Sequence, residues 1–488
     1  AGSLPPRLRR QPRSPENPKY RGRYRTATMA DEFEGGELVV TGGTDWAHIG
    51  RTGGKKTPKE KAEEAERAIT YPNLDTPHRV KNLMGIKIRF VASGSAACHS
   101  IIGDMSGKCY TWGRNEKGQL GHGDVVVRNM PTVVSGLADK EIVGASAGKN
   151  HSVVVASDGT VWAFGSNSYG QLGTGSCRSS PKDEELKKVP VACTVPKCDK
   201  VAAGAEFTMF LCNGELFACG LPQYGQLGNG TTGEYNTSAS SIKMAFSPYP
   251  LPTRVLGPLA SQKVVDMACG HNHTCCSDTE GNVYTWGFGG FGRLGHNVQQ
   301  DETLPRQVEV FKGRVKGAEK PVVACGSVST FITSNLQGTL YSWGRMKASG
   351  DNTMYPKPFS DLQGWNIRTM ACGNLTYVVG SDKSAITWGQ AQHQELGYGP
   401  KGRKTAAVPD KCMALEGFTT HDVGAGYGHI LFLVTGDKAK LDELPVWEND
   451  LVEEAPAAKG PKGAAAGAKR KAEAAKGGRG RGRGRGKK

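Results

Sequence analysis

The 488-residue sequence has no apolar run approaching 18 residues, which excludes a transmembrane helix. It has no hydrophobic signal-peptide core either. No local nucleophile signature surrounds any Ser, Cys or His, so the sequence offers no catalytic constellation and the reading is of a non-enzyme without a cofactor. Cys193 and Cys198 have no second matching pair, which removes a zinc site and leaves no metal expected. The thirteen cysteines are odd in number. Cys269, Cys325 and Cys372 each precede a glycine at one repeat position, where a small buried residue fits. Reduced packing cysteines, and an intracellular site, are therefore expected.

What is present is a repeat. A strand-like run closes on Gly, often followed by Gly-Gln-Leu-Gly: Trp112-Gly113 with Gly118-Gln119-Leu120-Gly121, Phe164-Gly165 with Gly170-Gln171-Leu172-Gly173, and Cys219-Gly220 with Gly225-Gln226-Leu227-Gly228. It returns as Trp286-Gly287 with Gly292-Arg293-Leu294-Gly295, as Trp343-Gly344, and as Trp388-Gly389 with Glu395-Leu396-Gly397. Thr41-Gly42 is a worn seventh copy. The closing glycines are 71, 52, 55, 67, 57 and 45 residues apart, a period near 50 that belongs to propellers and arrays. A second landmark, Gly-x-x-His or a variant, also occurs seven times. Its clearest forms are Gly148-Lys149-Asn150-His151, Gly270-His271-Asn272-His273 and Gly426-Tyr427-Gly428-His429. Others are Gly204-Ala205-Glu206-Phe207, Gly326-Ser327-Val328-Ser329, Gly373-Asn374-Leu375-Thr376, and a first copy at 95–99 with Ala in the Gly slot. Between the landmarks, β-branched and aromatic runs flank Asp158-Gly159, Asn213-Gly214, Glu280-Gly281 and Gln337-Gly338, the signature of hairpins. The fold expected is all-β, a seven-bladed propeller over 37–435 with disordered basic termini. Residues 37–42 carry a third strand without its predecessors, and 426–434 carry a second strand without a successor. Closure of the ring by pairing these two is expected, which protects both edges.

Insertions are expected near 51–86 and 231–262. The first opens a helix at Thr57-Pro58-Lys59-Glu60, with Thr as cap, Pro in the first turn and Glu completing a capping box. The second, rich in Ser, Thr, Tyr and Pro, reads as a protruding loop, the usual place for partner contacts. Residues 436–455 read as a linker.

Charge sits at the ends. The first 28 residues carry +7 and residues 456–488 carry +11, so the body, 29–455, is left at −2 of the total +16. Polyanion binding is thus a property of the tails. Residues 1–36 read as a disordered segment. Met29-Ala30-Asp31-Glu32 resembles a natural start, which makes 1–28 either a non-native leader or a presequence whose prolines spoil the amphipathic helix. Lys469, Arg470 and Lys471 form a basic cluster of nuclear-address type. Arg479, Arg481, Arg483 and Arg485 alternate with Gly, so that guanidinium groups can pair with phosphates and stack on bases along a flexible strand; RNA or DNA is the ligand expected.

The two combined landmarks resemble the repeats of the regulator-of-chromosome-condensation superfamily, over about residues 37–435. That resemblance implies association with chromatin or histones, microtubules and the mitotic spindle, a nuclear location, and binding to a small GTPase of the Ras superfamily with guanine-nucleotide exchange; with no membrane-spanning run, no membrane partner is expected. In the best-studied family member, exchange on Ran uses an acid just before a repeat His, with a wedge in the preceding blade. Here Asn150 stands in the acid's register, Glu206 one blade on, and His273 near the family's functional His. Asn150, Glu206, Asn272 and His273 are therefore the candidate partner-binding residues. The competing reading is that these positions carry blade-to-blade hydrogen bonds. Gly287-Phe288-Gly289-Gly290-Phe291-Gly292 follows a strand but opens a loop, so it is not read as a dinucleotide cradle.

Overall fold

The computed structural model describes residues 33–51, 57–180, 182–312, 321–334, 339–347, 350–449 and 451. Seven antiparallel sheets form the blades of a propeller. In blade 1 the strands are Ile88–Ala92, His99–Asp104, Cys109–Gly113 and Arg128–Val133, paired in chain order. Blades 2 to 6 repeat this order, beginning at Ile142, Lys200, Val264, Val323 and Thr369. First strands of adjacent blades touch one another, which makes them the inner wall. Second and third strands are almost wholly buried; Trp112, Trp286, Trp343 and Trp388 lie inside them.

The seventh blade is a composite. Thr419–Ala425 and His429–Thr435 come from the end of the chain and Glu37–Gly42 and Leu74–Val80 from its start. Glu37 pairs with Val434 and Gly42 with His429, an antiparallel register that closes the ring. Residues 74–83 are thus blade, not insertion, and the true excursion is 43–73. The helix Pro58–Thr70 lies in it, with both bonds of the capping box made by Thr57 and Glu60. It buries no residue; Arg67 Nε, 3.2 Å from an Asp45 carboxylate oxygen, ties it down.

The second excursion also differs from expectation. Tyr249–Arg254 is the outer strand of blade 3, so the insertion ends at 248. It is an ordered two-stranded ribbon, Glu234–Asn236 paired with Met244–Phe246. Lys243 N and Ser238 N both donate to Asn236 Oδ1, and Ser247 N donates to Gly233 O. Such polar bonds set a hairpin without the apolar alternation that a sequence pattern needs.

Residues 436–449 do not form a linker. Lys438–Asp442 is a short helix, and Val446–Trp447 adds a parallel fifth strand outside Leu74–Val80. Trp447 is buried in the core of blades 7 and 1. Buried Arg79 ion-pairs with both Glu37 and Asp442, at 2.8 and 2.7 Å. Asn129 Nδ2 in blade 1 donates to Leu451 O. The strap therefore runs across the seam where the ring closes.

One cysteine expectation fails. Cys198 and Cys212 are joined by a disulfide, their Cα atoms 3.9 Å apart. Lys200 pairs with Leu211; continuing that register puts 199 opposite 212, so Cys198 lies one residue out of register with Cys212 at the open end of the first hairpin of blade 3. The other eleven cysteines are free, and burial raises the thiol pKa of Cys269, Cys325 and Cys372 as expected of packing residues.

A third landmark appears only in three dimensions. Every fourth strand, the outermost one in blades 1 to 6, carries a proline: Pro77, Pro131, Pro190, Pro252, Pro305, Pro356 and Pro409. A proline there removes a donor from an exposed edge and blunts it against further pairing.

Candidate functional site

The turns between first and second strands and the loops between third and fourth strands lie at the same end of every blade. Asn150, Glu206 and Asn272 occupy equivalent turn positions in blades 2, 3 and 4. In all seven blades the carbonyl at this position accepts the backbone N–H that follows the closing glycine: Asn150 O from Ser166, Glu206 O from Leu221 and Asn272 O from Phe288, at 2.8–3.0 Å. That bond explains the glycine. Gly165 has φ +110°, and a Cβ there would lie 2.5 Å from Asn150 O. The other six closing glycines repeat the geometry with φ between +93° and +117°.

The histidines are cement. His99, His151 and His273 place Nε2 at 2.9–3.0 Å from Ser152, Thr208 and Thr330 of the next blade. Each of these hydroxyls donates in turn to the carbonyl of Gln119, Gln171 or Arg293. The single hydroxyl proton is thereby used, so the imidazole Nε2 carries the other. His429 reaches Ser100 of blade 1 at 2.8 Å, so four of the seven blade joints carry a histidine bond. Burial holds all four imidazoles neutral, with pKa values lowered to about 3 for His99 and His429, about 4 for His151, and well below normal for His273. The landmark glycine is the floor under the ring: a Cβ on Gly148 would meet His151 Cε1 at 2.1 Å, and one on Gly270 would meet His273 Cε1 at 2.2 Å. His273, expected at the partner surface, is fully buried and bonded to Thr330; it cannot touch a partner.

Asn150, Glu206 and Asn272 remain partly exposed on one face. Glu206 Oε2 accepts from Gln171 Nε2 at 2.9 Å. Burial raises its carboxyl pKa to about 7, against the opposing pull of Lys149, Arg178 and Lys117. The 231–248 ribbon springs from the third-to-fourth loop of the same blade 3, and the 43–73 excursion from the corresponding loop of blade 7. Both insertions therefore rise from the face that carries Glu206. The ribbon exposes Ile242 (88%), Tyr235 and Met244. Among the described residues, no group of three or more His, Cys, Asp or Glu is placed to hold a metal. The nuclear-address residues Lys469, Arg470 and Lys471, and the tail residues Arg479, Arg481, Arg483 and Arg485, lie outside the described residues.

Sequence reading missed one cluster on this face. In blade 4 the repeat's Gln is replaced by Arg293, and the residues around it are aromatic: Phe288, Phe291 and Tyr224. The signal was available as Gly-Arg-Leu-Gly where the other copies have Gln or Glu.

The RCC1-like domain family matches residues 22–346 and 139–432. The chain belongs to this family. It is 38% identical to human Protein RCC2 over 428 residues, covering 84% of this chain and 79% of that protein. Identity to the zebrafish (Danio rerio) Protein RCC2 homolog is 37% over 460 residues, covering 89% and 90%. Among solved structures, human WBSCR16 aligns with a TM-score of 0.63 at 19% identity, over 82% of this chain and 99% of that one. Yeast RCC1 (Prp20) bound to Kap60 aligns at 0.61 and 18% identity, over 88% and 98%. Prp20p from Saccharomyces cerevisiae in a second structure aligns at 0.59 and 19%, over 84% and 94%. These structures share the fold. The RCC1-like chain is thus a propeller whose repeat residues hold blade to blade and whose variable residues gather on one face.

Proposed function

We propose that the chain is a nuclear scaffold of chromatin and the mitotic spindle, which binds a small GTPase of the Ras superfamily and promotes guanine-nucleotide exchange on it. The observation that carries this reading is the pairing, on one face of blade 3, of the partly buried acid Glu206 with a projecting ribbon that ends in exposed Ile242. Asn150 and Asn272 flank Glu206 at the same turn position. An exchange factor needs no acid–base chemistry. It accelerates release by binding the nucleotide-free GTPase more tightly than the loaded form, and that difference in affinity is the whole coupling. A projecting apolar tip beside polar turn residues suits that task. The family match supports the reading, as do the reported binding properties of the yeast protein of this fold towards Gsp1p and histones. The test is pull-down with nucleotide-free Ran, Rac and Ral types. We expect one to bind, and replacement of 234–246 by a two-glycine link to weaken that binding at least about tenfold without shifting the melting temperature. Absence of binding to all three overturns the exchange reading.

A second reading rests on the Arg-Gly tail: an RNA- or DNA-associated scaffold, with the propeller recruiting proteins. The tail's +11 over 33 residues favours it. Removing 456–488 is expected to abolish nucleic-acid binding and its salt dependence; unchanged binding moves the site to the propeller.

A further inference from the structure

Blade 4 departs from its siblings where it meets blade 5. Its third-to-fourth loop lifts Phe291 into a left-handed backbone conformation, φ +63°, with Phe291 N bonded to Gln299 Oε1 at 3.0 Å. A non-glycine residue in that region is held there by its surroundings. The ring so presented lies between two guanidinium groups. Arg293, 2% exposed, donates from Nε to Gly290 O and from Nη1 to Ser327 O, both at 2.9 Å, and its guanidinium carbon is 4.4 Å from the Phe288 ring centroid. Arg345 comes from the end of the third strand of blade 5. Its guanidinium carbon lies over the Phe291 ring, 3.9 Å from the centroid.

The two arginines differ in what answers them. Arg293 is committed to two carbonyls and packed under aromatic rings. Arg345 is partly exposed, its Nε is shielded from water without a hydrogen-bond partner, and no carboxylate contacts it among the described residues. Asp301, the nearest acid to Arg293, bonds Gly289 N instead. A guanidinium has five N–H donors in a planar fork that fits a carboxylate with two parallel bonds. We propose that Arg345, held over the Phe291 ring, is the docking point for an Asp or Glu side chain of a protein partner. This rests on reading the Glu206 face as the partner-binding face and names one chemical feature of that partner. A nucleic acid is the less suitable ligand, because phosphate tracking needs a row of accessible cations, whereas Arg293 beside it is buried and turned to backbone carbonyls. Arginine and aromatic residues at a partly desolvated point are instead the composition of protein interfaces.

The probe is a Gly/Ala peptide with a central Glu-Ala-Glu, compared with its Gln-Ala-Gln counterpart, bound to the full chain and measured by ligand-observed NMR. Wild type is expected to prefer the Glu peptide about tenfold or more, as charge-assisted bonds allow. Arg345→Ala should erase the preference and Arg345→Lys keep part of it, since lysine retains charge but not the flat fork. Phe291→Leu, which keeps the arginine and removes the ring, should weaken it. The basic tail prefers the Glu peptide as well, so the preference shown by the isolated 456–488 peptide is subtracted in every variant. A preference that survives Arg345→Ala, or is missing in wild type, overturns the proposal. So does an oligo-dT whose binding depends on Arg345 as strongly, which would assign the residue to phosphate. Because no GTPase enters this assay, its outcome is separate from that of the exchange test.

Discussion

Replacing Glu395 by Gln should stabilise the propeller increasingly as pH rises from 5 to 8. Blade 6 has a glutamate where blades 1, 2 and 3 have Gln119, Gln171 and Gln226. In those blades the amide oxygen accepts the backbone N–H two residues earlier, at 2.8–2.9 Å. Glu395 does the same with a carboxylate: Oε2 accepts from His393 N at 2.7 Å and Oε1 from Gln392 N at 3.3 Å. The side chain is 1% exposed, and burial raises its pKa from 4.5 to about 7, with those backbone donors pulling the other way. The folded state thus holds a proton that the unfolded chain releases near pH 4.5. The stabilising contribution is complete below that pH and is lost as pH rises through 7. A gap of about 2.5 pKa units at 1.36 kcal/mol each gives a ceiling near 3 kcal/mol between the two ends. Gln cannot titrate, so the variant escapes the loss. The unfolding entropy of a 400-residue propeller, about 2 cal/mol/K per residue, converts that ceiling to about 3–4 °C. Differential melting of wild type and Glu395→Gln at pH 5, 6.5 and 8 reads the gap directly. Asp422, raised to about 6, and Glu206, raised to about 7, titrate in both proteins and cancel. A gap that stays constant from pH 5 to 8 would refute the argument, and one that narrows would mean the carboxylate is favoured in the fold.

Two further perturbations probe the closure of the ring. His151→Ala removes a buried ring and its bond to Thr208, and should cost about 2–4 kcal/mol at pH 8, read as a lower melting temperature; the deficit should shrink by about 0.8 kcal/mol on going to pH 6, because the wild-type imidazole, neutral in the fold, gains a proton near pH 6.5 once unfolded. Trp447→Ala should cost about 3–5 kcal/mol and, in hydrogen exchange, raise the exposure of Glu37–Gly42 and Leu74–Val80 more than that of blades 3 to 5, because the strap lies on the composite blade.

The propeller was legible because its repeat is enforced seven times by sterics that only a few residues satisfy. The closing glycine is the plainest case: a side chain at Gly165 would be strained by the φ of +110° and would meet Asn150 O. Glycine, buried Leu and the histidine over its own glycine recur for the same reason, and recurrence is what a single sequence can display. The outer strands escaped because one face of each is exposed and their shared feature is a lone proline before variable residues. The strap escaped for a different reason. Lys438 to Trp447 mixes charged and apolar residues without a strand or helix period, with Leu444 and Trp447 buried and Leu441 packed at the edge of the core, so its docking also depends on the Arg79 pair with Asp442.

The same logic separates cement from site. A residue that recurs in most blades answers a constraint every blade shares, and the buried His273 belongs there despite its resemblance to a functional family position. A partner meets only a few blades, so residues that recognise it must break the repeat. Glu206, the blade-3 ribbon, Phe291 and Arg345 all do so, and all lie in blades 3 to 5 on one face. Blade 6 also breaks the repeat, at Glu395, but there the odd residue is buried and bonded to its own backbone. Departure from the period therefore marks a site only when the departing side chain reaches solvent, which is why Arg345 carries a proposal about binding and Glu395 only one about stability.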